Sequence, residues 1–207
     1  QTFGRAKPGL AVGGGVAVTG SNARETLVAV NLLNAAAGSV GKTVRFGPDA
    51  ALGKATPYAE VAELVRAMGR GEIEVLLLGA GVNPAFTLPG ALGFADAARK
   101  VPLVVSFSNV PDETTALAHL ILPDTHWLES WGDYSPREGI GGLMQPTMMP
   151  IRDSRPLGDV LLALGRAALG SEEGKGPRPW TTFEQYLKAT WEPVVRGQWE
   201  AALQQGG

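Results

Sequence analysis

The strongest constraint in the sequence is a recurrence of short apolar runs, each stopped by glycine, polar residues or proline. Glu74-Val75-Leu76-Leu77-Leu78 exits through Gly79-Ala80-Gly81-Val82-Asn83-Pro84, Leu103 to Phe107 runs into a polar loop, and Leu120 to Leu122 is stopped by Pro123. The first run is continuously apolar rather than alternating, the pattern of a strand covered on both faces. The segments between these runs have helical spacing. Val61, Leu64, Val65 and Met68 recur at i, i+3, i+4, i+7, with Thr56 as cap, Pro57 at the first position and Gly69 at the end. Gly90 to Arg99 reads as a second helical stretch, and Asp112 to Ala118 as a short third. Strands alternating with helices at this rhythm predict an α/β fold, a Rossmann-like parallel sheet with helices on both faces.

The N-terminal part repeats the theme. Leu10 to Val12 leads into Gly13-Gly14-Gly15 and continues through Val16-Ala17-Val18, a strand with a glycine-rich exit. Asn22 to Ala37 reads as a helix: Asn22 and Glu25 have capping-box spacing, Leu27, Val30 and Asn34 share a face, and Gly38 closes it. The pair Asn31 and Asn34 is unusual on such a face. Thr43 to Phe46 reads as a strand, followed by a Gly/Pro/Ala loop to Thr56. Residues 124–156 are rich in proline and glycine with little periodicity, and read as an extended irregular arm packing on the domain or on a partner. Leu157 to Leu169 returns to helical spacing, Ser171 to Pro179 reads as a linker, and Thr181 with Glu184 starts a last helix. The expected organisation is residues 1–123 as the Rossmann-like domain, 124–156 as the arm, and 157–207 as C-terminal helices.

Composition narrows the chemistry. The 207 residues contain no cysteine, which excludes disulfides, cysteine nucleophiles, thiolate zinc sites and cysteine-held iron–sulfur clusters in this chain. A net charge of −2 argues against a general nucleic-acid binder. Charged residues make up 18 %, against roughly 25 % for an ordinary soluble domain, and charge depletion combined with tryptophan is the compositional mark of an interface. The 28 glycines and 15 prolines imply many tight joins. There is no apolar run long enough to span a membrane and no basic stretch followed by an apolar region at Gln1 to Gly9. A start at Gln1 rather than methionine reads as a processed chain or an excised piece.

Candidate motifs fall into competing readings. Gly79-Ala80-Gly81 opens like a dinucleotide fingerprint, but Pro84 stands where its last glycine belongs. Gly13 to Gly15 reads as a plain turn or as a phosphate cradle; neither run is followed by Lys-Ser/Thr, so a Walker-type loop is not supported. Asp124, His126, Glu129, Asp133 and Glu138 form a metal-like set, without a helix to align them. His119 lies between apolar residues, as a structural histidine does. Ser106, Ser108 and Ser130 lack a nucleophile elbow. Trp127, Trp131, Tyr134, Trp180, Trp191 and Trp199 divide between satellite packing and a partner surface.

"VLLLGAGVNPAFTLP" at Val75 to Pro89 resembles the strand and G-x-N-P turn of the molybdopterin oxidoreductase superfamily. Glu113-Thr114 resembles its E-T pair, Leu122-Pro123 the end of its A-D-V-V-L-P strand, and Glu129 and Gly132 fall where it has glutamate and glycine. "KPGLAVGGG" and "AVNLLNAAAGSVGKTV" are similar to its opening strand and L-N-x-x-x-G helix. Residues 120–155 look most like the large iron–sulfur subunit of alternative complex III, a quinol:cytochrome c oxidoreductase. That resemblance implies an exported respiratory subunit on the periplasmic side of the bacterial inner membrane. It would be membrane-associated through partners, with the other domains of its polypeptide and other subunits as those partners and iron–sulfur clusters in other domains. It also implies a molybdopterin-like part that has lost its cofactor and serves as scaffold and docking surface. Two positions carry that expectation: cofactor-bearing members have aspartate where this chain has Ser108 and His119, and a serine hydroxyl is a weaker partner for a guanine edge than a carboxylate. The alternative is the guanine-dinucleotide domain of a true molybdoenzyme, resembling polysulfide or thiosulfate reductase. Molybdopterin guanine dinucleotide would then lie near Gly79, Asn83, Pro84, Ser108, Thr114 and Glu129.

Overall fold

The computed structural model describes residues 2–5, 7–15, 20–47, 55–170 and 179–206. The chain forms two compact units, Gln1–Asp49 and Ala50–Gly207.

The first unit contains α1 (Thr2–Arg5) and α2 (Ala23–Ala36). Leu10 to Val12 is extended but not part of a ladder, contrary to the strand expected there. Its backbone is satisfied by a side chain instead: Ala11 N donates to Asn34 Oδ1 and Asn34 Nδ2 donates to Ala11 O, both at 2.8 Å. The buried Asn34 thus does what a neighbouring strand would do, which accounts for an asparagine on the inner face of α2. The capping box does not form. Asn22 makes no side-chain cap bond, and its carbonyl takes the Thr26 amide and hydroxyl, each at 2.9 Å. The strand expected at Thr43 to Phe46 is reduced to one bridge between Val40 and Val44. Ser39 O accepts from the amides of Lys42, Thr43 and Val44, and that tight turn leaves no length for a ladder. The expected continuation through Val16–Val18 lies outside the described residues, as does most of the loop before Thr56.

The second unit holds α3 (Tyr58–Gly69), β1 (Val75–Leu78), α4 (Pro84–Thr87), α5 (Phe94–Ala98), β2 (Leu103–Ser106) and β3 (Leu120–Ile121). The three strands form a parallel sheet in the order β1-β2-β3, with Val75 opposite Leu103 and Val105 opposite Leu120. This is the α/β fold expected from the apolar runs. Pro57 rather than Thr56 occupies the cap position of α3, without a side-chain cap bond. The helical stretch from Gly90 breaks at Gly93, whose φ of +69° ends a 3-10 turn and starts α5.

α3 and α5 pack on one face of the sheet, burying Val65, Met68, Leu76, Leu78, Phe94 and Val104 together. Full burial of such side chains stabilises by about 1.5–3 kcal/mol each. β1 nevertheless alternates: Val75 and Leu77, on the opposite face, remain 50 % and 47 % exposed among the described residues. The continuous apolar run therefore has one covered face here and one open face.

The segment expected to be irregular contains an antiparallel hairpin, β4 (Gly132–Arg137) and β5 (Ile140–Met144). Glu138-Gly139 forms its two-residue turn, with Gly139 at φ +77°, a hairpin signal that the surrounding prolines obscure. Pro136, which lacks an amide proton, sits in the irregularity between Tyr134 and Arg137. α6 (Leu157–Ala168), α7 (Phe183–Val195) and α8 (Trp199–Gln205) complete the unit. α7 is capped one residue later than expected, by Thr182, whose hydroxyl accepts from Gln185 N. Most of the expected linker, 171–178, lies outside the described residues. No helix of the described residues is long and apolar enough to cross a membrane.

Candidate functional site

The turn after β1 places Asn83 at the cap position of α4, with Gly81 at φ +75° and Pro84 at the first helical position. Asn83 reaches across to the loop after β2. Its Nδ2 donates to Glu113 Oε2 at 2.7 Å, its Oδ1 accepts the Thr114 hydroxyl at 2.6 Å, and Thr114 Oγ1 in turn accepts Ala85 N at 3.0 Å. The Asn83 amide and Glu113's own backbone amide hold the Glu113 carboxyl below the usual range, although it is open to solvent. The structure thereby brings together Asn83, Pro84 and Thr114, with Gly79 at the start of the same turn. The side-chain polar groups of Asn83 and Thr114 are taken by one another, by Glu113 and by the Ala85 amide.

Ser108 and Glu129 belong to other local networks. The Ser108 hydroxyl donates to Val110 O at 2.8 Å, and its amide donates to Ser106 Oγ at 3.2 Å. Glu129 accepts from His126 N at 3.2 Å and from Ile151 N at 3.1 Å, tying a 3-10 turn at Trp127–Glu129 to the segment after β5. His119 Nδ1 accepts Val104 N at 3.0 Å, so this imidazole supplements the β2–β3 ladder.

The metal-like set is dispersed into separate roles. Asp124 Oδ1 accepts Leu157 N at 2.7 Å, His126 Nδ1 accepts Leu128 N at 3.3 Å, and Asp133 Oδ2 accepts Trp191 Nε1 at 2.9 Å. Among the described residues, no three histidine, aspartate or glutamate side chains converge as a metal site would require.

A cavity of about 600 Å³ opens at the carboxyl ends of the parallel strands, where open α/β sheets receive ligands. It is lined by Ala80 and Gly81 after β1, Asn109 after β2, and Asp124 and Thr125 after β3. Trp127, Trp131, Leu157, Leu161 and Phe183 form its apolar walls. Trp131 is backed by the buried Trp199 of α8, the ring centroids 6.3 Å apart. None of the six residues singled out in the sequence lines this cavity, and Asn83 and Pro84 line a separate one of about 430 Å³. Asn109, Thr125 and Leu161 were missed as site residues; for Asn109 and Thr125 the signal was position, since each follows closely on a strand end.

The described lining of this cavity offers no counter-charge to a guanine dinucleotide. No lysine or arginine is among the described residues that line it, so a pyrophosphate would meet no cation. Asp124, the one carboxylate among the described lining residues, accepts Leu157 N through Oδ1. Burial is the largest influence on Asp124 and holds its carboxyl above the ordinary range.

Comparison with known proteins gives this site its context. The chain is 34 % identical, over 127 residues and 59 % of its length, to the menaquinone reductase molybdopterin-binding-like subunit of Nitratidesulfovibrio vulgaris (strain Hildenborough). It is 36 % identical, over 73 residues and 33 % of its length, to a tetrathionate reductase subunit of Salmonella typhimurium (strain LT2). It spans 18 % and 7 % of those two proteins. The family model for molybdopterin oxidoreductase matches residues 11–167, more than half of the chain. With the parallel sheet and the Asn83–Thr114 link in the matched span, the chain belongs to the molybdopterin oxidoreductase family.

Proposed function

We propose that this chain is a scaffold and docking domain of a respiratory oxidoreductase subunit, molybdopterin-enzyme-like in fold but without a bound pterin dinucleotide. The observation that carries this reading is the cavity at the strand ends, whose described lining offers no cation for a pyrophosphate and one carboxylate, Asp124, that holds Leu157 N. The Ser108 hydroxyl, turned onto Val110 O, supports it. The relative from Nitratidesulfovibrio vulgaris, a molybdopterin-binding-like subunit of a menaquinone reductase, supports a place in a quinone-linked assembly. In this reading the redox centres are iron–sulfur clusters of other domains, the complex is of the quinol:cytochrome c oxidoreductase kind, and it stands on the periplasmic side of the membrane. The absence of cysteine agrees with clusters held elsewhere.

The test is molybdenum analysis, with fluorescence of extracted pterin, on the full-length protein purified in its complex. The expected result is molybdenum far below one atom per polypeptide and no pterin. Stoichiometric molybdenum with pterin overturns the reading and makes the chain the dinucleotide domain of a molybdoenzyme.

A further inference from the structure

We propose that the cavity at the carboxyl edge of the sheet binds an uncharged, planar aromatic molecule carrying hydroxyl or carbonyl oxygens. Its volume, about 600 Å³, is in the range of small-molecule sites. Its walls supply flat apolar surface. Trp127 is 60 % exposed beside His126, ring centroids 5.3 Å apart, while Trp131 is held by its stack on Trp199. Leu157, Leu161 and Phe183 add further apolar lining. Rings of this kind favour a planar partner.

The polar groups at the cavity are few and suit a neutral guest. His126 accepts Leu128 N through Nδ1, which leaves the neutral ring's proton on Nε2 as a donor. Asn109 offers both an amide donor and a carbonyl acceptor. With Asp124 the one acidic group and no lysine or arginine in the described lining, a phosphorylated guest would face a carboxylate and no counter-charge. The charge state of the guest, rather than its size, is therefore what this lining selects.

The experiment compares 1-naphthol with 1-naphthyl phosphate, which share the ring and differ in charge. Each is titrated by saturation-transfer-difference NMR against the full-length protein in its complex. The same titration is made on Leu161→Trp and Ala80→Leu, which fill the cavity from a helix and from a turn and keep its polar groups. The expected result is a saturable naphthol component that weakens about tenfold or more in the filled variants, with naphthyl phosphate about tenfold weaker than naphthol on the wild type. Two variants are used so that one still reads if the other fails to assemble. A naphthol response unchanged in the filled variants, no saturable component, or naphthyl phosphate binding as tightly as naphthol overturns the proposal. Molybdenum is measured on the same preparation. A molybdenum-free complex that binds no naphthol refutes this inference alone, whereas stoichiometric molybdenum refutes the cofactor-free reading.

Discussion

The Thr114 hydroxyl donates to Asn83 Oδ1 at 2.6 Å from 31 residues away, while Thr114 Oγ1 itself accepts the Ala85 amide at 3.0 Å. One buried side chain, 1 % exposed, thus joins the turn after β1 to the loop after β2 and sets the cap of α4. Thr114→Val keeps the shape and removes both bonds, leaving the Ala85 amide without its partner. The expected loss is about 1–3 kcal/mol in urea unfolding, with a clearly smaller loss for Thr114→Ser. Equal losses for the two variants would show that packing, not the hydroxyl, makes the joint.

Asp124 couples the third strand end to α6 through Leu157 N. Burial raises its folded-state pKa above the unfolded value, so the folded chain holds the proton more tightly. Its contribution is then fully present below the unfolded pKa, about 3.9, and declines as pH rises through the folded pKa. Asp124→Asn keeps an acceptor for Leu157 and has no such titration. Wild type should therefore lose stability relative to Asp124→Asn as pH is raised from about 4. Asp124→Ala, which removes the acceptor, should be less stable than Asp124→Asn by about 1 kcal/mol. Thermal unfolding across a pH series checks both statements.

Gly158 in the first turn of α6 lies against the Phe183 ring, where an added Cβ would overlap Cγ of that ring. Phe183 N also donates to Asp159 Oδ1 at 2.6 Å, so α6 and α7 meet at this point with no room between them. Gly158→Ala should destabilise by about 1–3 kcal/mol, in spite of alanine's better helix propensity. Phe183→Leu in the Gly158→Ala background should recover part of the loss, which a double-mutant cycle measures.

Asn34 replaces a strand partner for Ala11 through two bonds of 2.8 Å. Asn34→Leu keeps the volume and leaves the Ala11 amide and carbonyl unpaired. The expected outcome is a loss of about 2 kcal/mol and faster hydrogen exchange at the Ala11 amide, read by NMR or mass spectrometry. Unchanged exchange at Ala11 would rule out Asn34 as the protecting group.

The sequence by itself determined the α/β class, because three apolar runs with turn-forming exits and intervening helical spacing leave few other arrangements. It also determined the family, since Asn83-Pro84, Glu113-Thr114 and Leu122-Pro123 occur in order at the strand ends. Helix spans such as Tyr58–Gly69 and Leu157–Ala168 were legible from a 3.6-residue period. The hairpin at Gly132–Met144 was not, because its strands carry glycine and proline where propensity expects β-branched residues.

What only the tertiary structure decided is which polar groups are already taken. A carboxylate at Glu129 or a hydroxyl at Ser108 reads in sequence as a candidate ligand contact. In the fold, Glu129 is engaged by His126 and Ile151 and Ser108 by Val110. The same holds for the cavity, whose walls come from residues as distant as Gly81, Trp127 and Phe183. Periodicity is a local property that short-range sterics and burial write into the chain. Hydrogen-bond occupancy and cavity lining depend on long-range pairing, and no spacing rule encodes them.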